Sequence, residues 1–354
     1  MFALACSAWL AFAPLESPNK LAETYATAIE ELNAKHAKAP GKAREDELAK
    51  LLPDKARRAF DELLAIKSHD ELVDALVVAA NAAAELDLEQ DFANARGRAA
   101  QLDAAAGRQL GVLVSRARFH VRGVNGLETP YCEHFADVFE AILGAYDELF
   151  GFDEFSKVPG KKLRVLVHLE PAIDRPPHFA PEFPYHSQVD FPVVDARELR
   201  SPTPDGKFLF YGLCHELGHV VSMWGDARNE EDHHAWAHYT GVALVEHLAR
   251  DKRLAKVLDG LDDVKWRSLE KEREAAKFTA PGRGSREAVM ALFIALHDEL
   301  GPKAIGDALD RLDKADKRLR INRVRYTSFD EFRTALVDGT KDAGKRKRIQ
   351  ELLR

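Results

Sequence analysis

The sequence predicts an α+β protein in which a small sheet and its helices are flanked on both sides by mostly helical regions. Three observations carry that expectation. Residues 21–106 keep a helical apolar spacing almost throughout. Residues 116–193 instead alternate strand, helix, strand, loop and strand, and from Phe208 the chain reads as helix again nearly to its end. At 354 residues the chain exceeds the usual size of one compact domain, so several packed units are expected.

Met1 to Pro14 carries no charge and ends Ala11-Phe12-Ala13, like the apolar core and small-residue cleavage site of a secretory signal. No basic residue precedes it, and Pro14 is a poor cleavage partner. The expectation is export, periplasmic or secreted. The alternative is a cytoplasmic protein whose apolar first helix tucks into the fold. Residues 20–111 form the N-terminal helical region, in which Leu72, Ala75, Leu76, Ala79 and Ala83 mark one buried face. Pro40-Gly41 and Ser68-His69-Asp70 are its natural breaks, and no repeat of solenoid length is present.

Residues 112–250 change character. Arg116 to Arg122 alternates like a short strand. Tyr131 to Phe150 is an amphipathic helix with Phe135, Val138, Phe139, Ile142, Leu143 and Tyr146 on one side, ended by Gly151. Lys162 to Leu169 is a second strand. Pro171 to Pro184 is a proline-dense loop, holding five of the sixteen prolines, that could cover a cleft or simply connect. Ser187 to Val193 is extended and leads into a turn at Pro204-Asp205-Gly206. The helix from Phe208 breaks at Trp224 to Asn229 and resumes to Arg250. Residues 251–354 form a C-terminal helical subdomain, with a loop at Pro281 to Ser285 and a break at Gly301-Pro302.

A net charge of -7 argues against nucleic acid as a partner, because phosphate binding needs a cationic surface. The basic stretch from Lys314 to Arg325 reads as a solvated helix face followed by a loop. Cys6, Cys132 and Cys214 lie far apart, which excludes a disulfide framework and a four-cysteine zinc site. No apolar run reaches the roughly 18 residues of a membrane span.

The chemistry is concentrated in Gly212-Leu213-Cys214-His215-Glu216-Leu217-Gly218-His219, an HExxH motif in a helical stretch. Residues four apart share a helix face, so His215 and His219 can aim two imidazoles at one point. Two neutral imidazoles at that spacing suit zinc. Glu216 flanks the metal, where it can hold a zinc-bound water and take its proton. Leu213, Leu217, Val220 and Val221 supply the apolar setting of a ligand-bearing core helix. Cys214 points about 100° away around the helix and reads as a buried free thiol.

Such a site needs a third protein ligand and one open position. The next helix, Asn229 to Tyr239, supplies the alternatives, and six of the fourteen histidines fall between residues 215 and 247. A short loop returns the chain, so the third ligand should sit as deep in the second helix as His219 does in the first. That depth favours His234 over Glu231, with Asp232 and His233 behind them. His238, four residues past His234, can orient a ligand from outside the metal's own contacts. For both His238 and His247 a plain surface position is the competing reading.

HELGH followed by a second ligand-bearing helix resembles the gluzincin branch of zinc metallopeptidases, within the wider peptidase MA-like group of thermolysin-like enzymes and aminopeptidases. His234-Ala235-Trp236-Ala237-His238-Tyr239 is similar to the Glu-Gly-x-Ala-x-Tyr segment common there, with histidine in the glutamate's place. The resemblance covers about residues 115 to 354 and is tight only at the motif. It implies a zincin-like catalytic domain with one Zn²⁺, His215 and His219 as ligands and Glu216 as general base. Tyr185 to Val193 would be the sheet edge along which an extended peptide adds as a strand. A donor for the developing oxyanion would come from His238, Tyr239 or, more distantly, Tyr326.

The leading expectation is therefore a zinc-dependent hydrolase of peptide or protein substrates. A catalytically silent zincin-like binding module is one rival, against which Glu216 counts. A metal-dependent hydrolase of a non-peptide amide is another, and it would use the same machinery. Cleavage specificity and oligomeric state are not legible.

Overall fold

The structure, a computed structural model, describes residues 16–38, 50–86, 88–124, 126–151, 163–169, 178–180, 188–193, 204–221, 223–224, 230–250, 268–283, 285–315, 319–321 and 324–353. The apolar N-terminus, 1–14, lies outside them. Among the described residues no helix is long and apolar enough to cross a membrane.

The chain is α+β. It opens with five helices: α1 (Pro18–Lys38), α2 (Asp54–Ala65), α3 (Leu72–Glu85), α4 (Glu89–Leu102) and α5 (Ala104–Leu110). In α3, Leu72, Ala75, Leu76, Ala79, Ala80, Ala83 and Ala84 recur at three–four spacing, and all are buried. The small alanine surface lets α1 and α4 pack close against it. The Tyr25 ring stacks on Phe60 at 4.5 Å, and its hydroxyl donates to Asp91, which also accepts from Arg57. These helices enclose one apolar core that runs from Leu21 to Leu110.

A second core starts at Val112 and runs to Leu353. The strand expected over Arg116 to Arg122 is a turn followed by the start of β2 (Phe119–Val124), which pairs as an antiparallel hairpin with β1 (Val112–Ser115), a strand that was not expected. Arg116 to Arg122 alternates through the turn into β2, whereas the buried Val112 and Val114 of β1 are out of phase with Phe119 and Val121, so β1 does not join that pattern. The hairpin's end is instead set by Arg116 and Arg118, which ion-pair with Asp137, Glu140 and Asp147. Those acids lie on α6 (Thr129–Phe150), whose Phe135, Phe139, Ile142, Leu143, Tyr146 and Phe150 are fully buried. Gly151 ends α6 in the left-handed conformation, φ 77°, which a glycine adopts without steric cost.

β3 (Leu163–Leu169) joins β2 in parallel, and β5 (Gln188–Val193) joins β3 in parallel. β4 (His178–Ala180) closes the sheet antiparallel to β5, giving the order β1-β2-β3-β5-β4. Two expectations change here. The proline-dense loop contains a strand, bracketed by Pro177 and Pro181, in keeping with proline's tolerance at sheet edges. The edge strand is therefore β4, not Tyr185 to Val193, and it pairs with Gln188, Val189 and Asp190. The rest of the loop, and residues 185–187, lie outside the described residues.

Pro204-Asp205-Gly206 is not a turn but the first turn of α7 (Pro204–Val221), a position proline's fixed φ suits. Then follow β6 (Met223–Trp224) and α8 (Glu230–Arg250). The remainder holds α9 (Leu269–Ala276), α10 (Arg286–Leu300), α11 (Pro302–Lys314), β7 (Leu319–Ile321), β8 (Val324–Thr327), α12 (Phe329–Gly339) and α13 (Ala343–Leu352). Ser268 and Ser285 cap α9 and α10 by accepting from the Lys271 and Ala288 amides. In the basic stretch read as a helix face followed by a loop, residues 319–321 and 324–325 are strand. β7 and β8 are antiparallel, and β6 pairs in parallel with β8. In Leu319-Arg320-Ile321 and Val324-Arg325-Tyr326 the period of two is present, and the arginines disguise it. Phe293 of α10, Leu309 of α11 and Phe332 of α12 belong to the same core as α6, α7 and α8, so the described residues of 112–250 and of 251–354 share one core.

Candidate metal centre

His215 and His219 sit one turn apart on α7, with ring centroids 5.0 Å from each other. His234 on α8 completes a triangle, 5.0 Å from His219 and 6.0 Å from His215. One ligand atom from each lies within 4.8 Å of the others, a group that could hold a metal ion. His219 is buried, His215 half-buried and His234 exposed, so the cluster opens to solvent on the α8 side.

What lets two helices deliver three imidazoles to one point is their close approach. A Cβ added at Gly218 would lie 2.6 Å from the Ala237 Cα, and one added at Gly241 would lie 3.3 Å from the His215 Cα. The pairs Gly218–Ala237 and His215–Gly241 run in opposite directions, so α7 and α8 are antiparallel. The Trp236 indole N–H donates to the Gly218 carbonyl at 2.9 Å, which fixes the register of one helix on the other. Trp236 itself is fully buried between Phe150 and Phe293.

The electrostatics suit neutral ligands. Burial holds the His219 imidazole well below its ordinary range; His215, His234, His233 and the Arg286 guanidinium add to the effect. Metal ligation needs deprotonated imidazole, so this histidine is already in the required form at neutral pH. Its Nδ1 is buried and has no hydrogen-bond partner among the described residues. The Glu216 carboxylate is nearly buried and lies 4.0 Å from the His215 Nε2. On the other ring nitrogen, the His215 Nδ1 is 3.3 Å from the Tyr211 hydroxyl.

The remaining residues singled out from the sequence fall as follows. Glu231 is in the first turn of α8, and its side chain is outside what is described. Asp232 and His233 are buried and do not belong to the cluster. His238 is buried, bonded through Nδ1 to the Tyr211 hydroxyl and through Nε2 to Glu272 at 3.1 Å. It is not a surface histidine. Tyr239, expected near an oxyanion, is instead fully buried against Phe293, and its hydroxyl bonds to the His297 Nδ1 at 3.0 Å. The side chain of Tyr326 is outside what is described. His247 pairs with Glu148 at 3.5 Å, and Cys214 is a fully buried free thiol.

Two polar residues at this site were missed from the sequence. Tyr211 lies four residues before His215, the spacing that already paired His215 with His219, and it could have been found by extending the same face one turn back. Glu272 comes from α9, and no local signal marks it. Comparison of the chain with protein-family models, with curated proteins and with solved structures returned no match.

Proposed function

We propose that the protein is a zinc-dependent metallopeptidase of the zincin type, acting on peptide or protein chains, with Glu216 as its general base. The observation that carries this reading is the triangle of His215, His219 and His234, ligand atoms within 4.8 Å, with the Glu216 carboxylate beside it. Three imidazoles and an open position are a donor set that suits zinc. Zinc, when bound, supplies Lewis acidity that polarises a carbonyl and acidifies water.

The chain's own residues supply the rest. Glu216 accepts the proton of the attacking water at its carboxylate and returns it to the leaving amine. Its near-complete burial strengthens that interaction relative to bulk water. His234, exposed on the open side, leaves room for a substrate carbonyl to approach. β4 is the outer strand beside α7, where an extended peptide would pair its backbone. Tyr239, buried in the core, is not the oxyanion donor in this scheme.

The experiment compares zinc-loaded wild type with Glu216→Gln on a peptide library. Wild type should cleave, and Glu216→Gln should bind zinc as well while losing at least about 100-fold in rate. A fully zinc-loaded wild type that cleaves no peptide would overturn the reading, as would a Glu216→Gln variant of undiminished rate.

A further inference from the structure

Behind His215 lies a file of polar side chains drawn from three helices. The Glu272 Oε1 on α9 is 3.1 Å from the His238 Nε2 on α8. The His238 Nδ1 bonds to the Tyr211 hydroxyl on α7, and that hydroxyl lies 3.3 Å from the His215 Nδ1. Tyr211 is 5% exposed and His238 8%, so water does not compete freely for the inner links. The space for the tyrosine ring exists because Gly241 has no side chain. A Cβ there would come within 3.0 Å of the Tyr211 Cε2.

The direction of each hydrogen bond follows from the end of the file. A carboxylate only accepts, so the His238 Nε2 must carry a proton and donate to Glu272. If its one N–H is spent on Glu272, the His238 Nδ1 accepts, and the Tyr211 O–H donates to it. The Tyr211 oxygen then has its lone pairs left to accept, and the donor they meet is the His215 Nδ1–H. That leaves the His215 Nε2, the nitrogen nearest Glu216, without a proton of its own.

We infer that Glu272, His238 and Tyr211 are positioning residues that hold His215 in the Nδ1–H tautomer, so that its Nε2 is ready to ligate. The inference rests on the metal-centre reading above for its purpose, but the tautomer itself is a property of the metal-free protein. A carboxylate behind a ligating histidine fixes its ring and raises its basicity. Here the influence reaches His215 through a tyrosine and a second histidine.

The test uses the full chain, with zinc removed for one arm. Long-range ¹⁵N–¹H spectra of the metal-free protein should show His215 protonated on Nδ1 and bare on Nε2. Tyr211→Phe should populate both tautomers and weaken zinc binding, read by competition with a chelating indicator, by about 10–100-fold. Glu272→Leu, at a partly exposed position that leaves the core intact, should do the same. Glu272→Gln still offers an acceptor oxygen and should keep the parent tautomer. The inference is overturned if His215 of the parent carries its proton on Nε2. It is also overturned if both disrupting variants keep the parent's tautomer and bind zinc within about twofold of it. A parent that shows the Nδ1–H tautomer yet binds no zinc would remove the metallopeptidase reading and leave the hydrogen-bonded file standing.

Discussion

Gly218→Ala puts a methyl group where α7 and α8 touch. The added Cβ would stand 2.6 Å from the Ala237 Cα, 3.2 Å from the Ala237 Cβ and 3.1 Å from the Thr240 Cβ. The first of these is backbone and cannot rotate away, so the helices must separate by about 0.8 Å to reach the 3.4 Å of ordinary contact. Overpacking of that kind costs about 1–3 kcal/mol, while alanine in place of a helical glycine gains about 1 kcal/mol. The net expectation is a loss of about 0–2 kcal/mol in metal-free protein, without the gain of an unobstructed glycine-to-alanine change, measured by urea unfolding. The same separation carries His234 away from His215 and His219 by more than the ~0.2 Å that metal–ligand distances tolerate, so zinc affinity should fall about 10–100-fold. Gly97→Ala is the control, because nothing lies within 4 Å of a Cβ built there; it should gain about 0.5–1 kcal/mol. Refutation would be a Gly218→Ala protein that gains stability as Gly97→Ala does and keeps its zinc affinity. The close helix contact would then not be what brings the three histidines together.

Other outcomes follow from the same packing and electrostatics. Zinc at about 100 times its dissociation constant should raise unfolding free energy by about 2.7 kcal/mol, and a chelator should reverse it; no shift would mean that the folded state has no metal preference. Burial, with the Arg273 guanidinium adding to it, holds His297 below its ordinary range. The unfolded chain therefore takes up that proton first, so stability is full above about pH 6.5 and falls as the pH drops through 6.5 toward the folded value. In urea titrations His297→Gln should lose less than the parent over that interval, and equal losses would contradict the assignment. Burial also raises the thiol pKa of Cys214 far above its ordinary range and that of Cys132 to about 12. Neither should react with a thiol reagent until the protein unfolds, and fast labelling of either in native protein would show the packing to be looser than this.

How much of this was written locally in the chain varies by element. The α3 face and the apolar side of α6 are carried by side chains three and four apart, and helical periodicity recovers them directly. The strands were harder. β4 is three residues long between prolines, and β7 and β8 carry arginines at alternate positions, so composition pointed to loop and to solvated helix while the ladder decided otherwise. The hairpin of β1 and β2 was hidden for the opposite reason, since the alternation of Arg116 to Arg122 runs through the turn into β2 and masks where the hairpin bends. At the site, spacing alone singled out His215, Glu216 and His219, and the depth argument led to His234 because the loop between α7 and α8 is short. Tyr239 shows the limit of such reasoning: five residues past His234, it belongs to the core stack with Phe293 rather than to the cleft. Glu272 shows another, because its meeting with His238 depends on how α9 docks and on nothing in its own neighbourhood.

Metal content of the purified protein, compared among wild type, His234→Ala and Glu231→Ala, goes straight to the centre formed by α7 and α8. A three-histidine site holds one equivalent of zinc in wild type and in Glu231→Ala and loses it in His234→Ala. Zinc retained by His234→Ala but lost from Glu231→Ala, or a wild type that stays metal-free when zinc is offered, would contradict it.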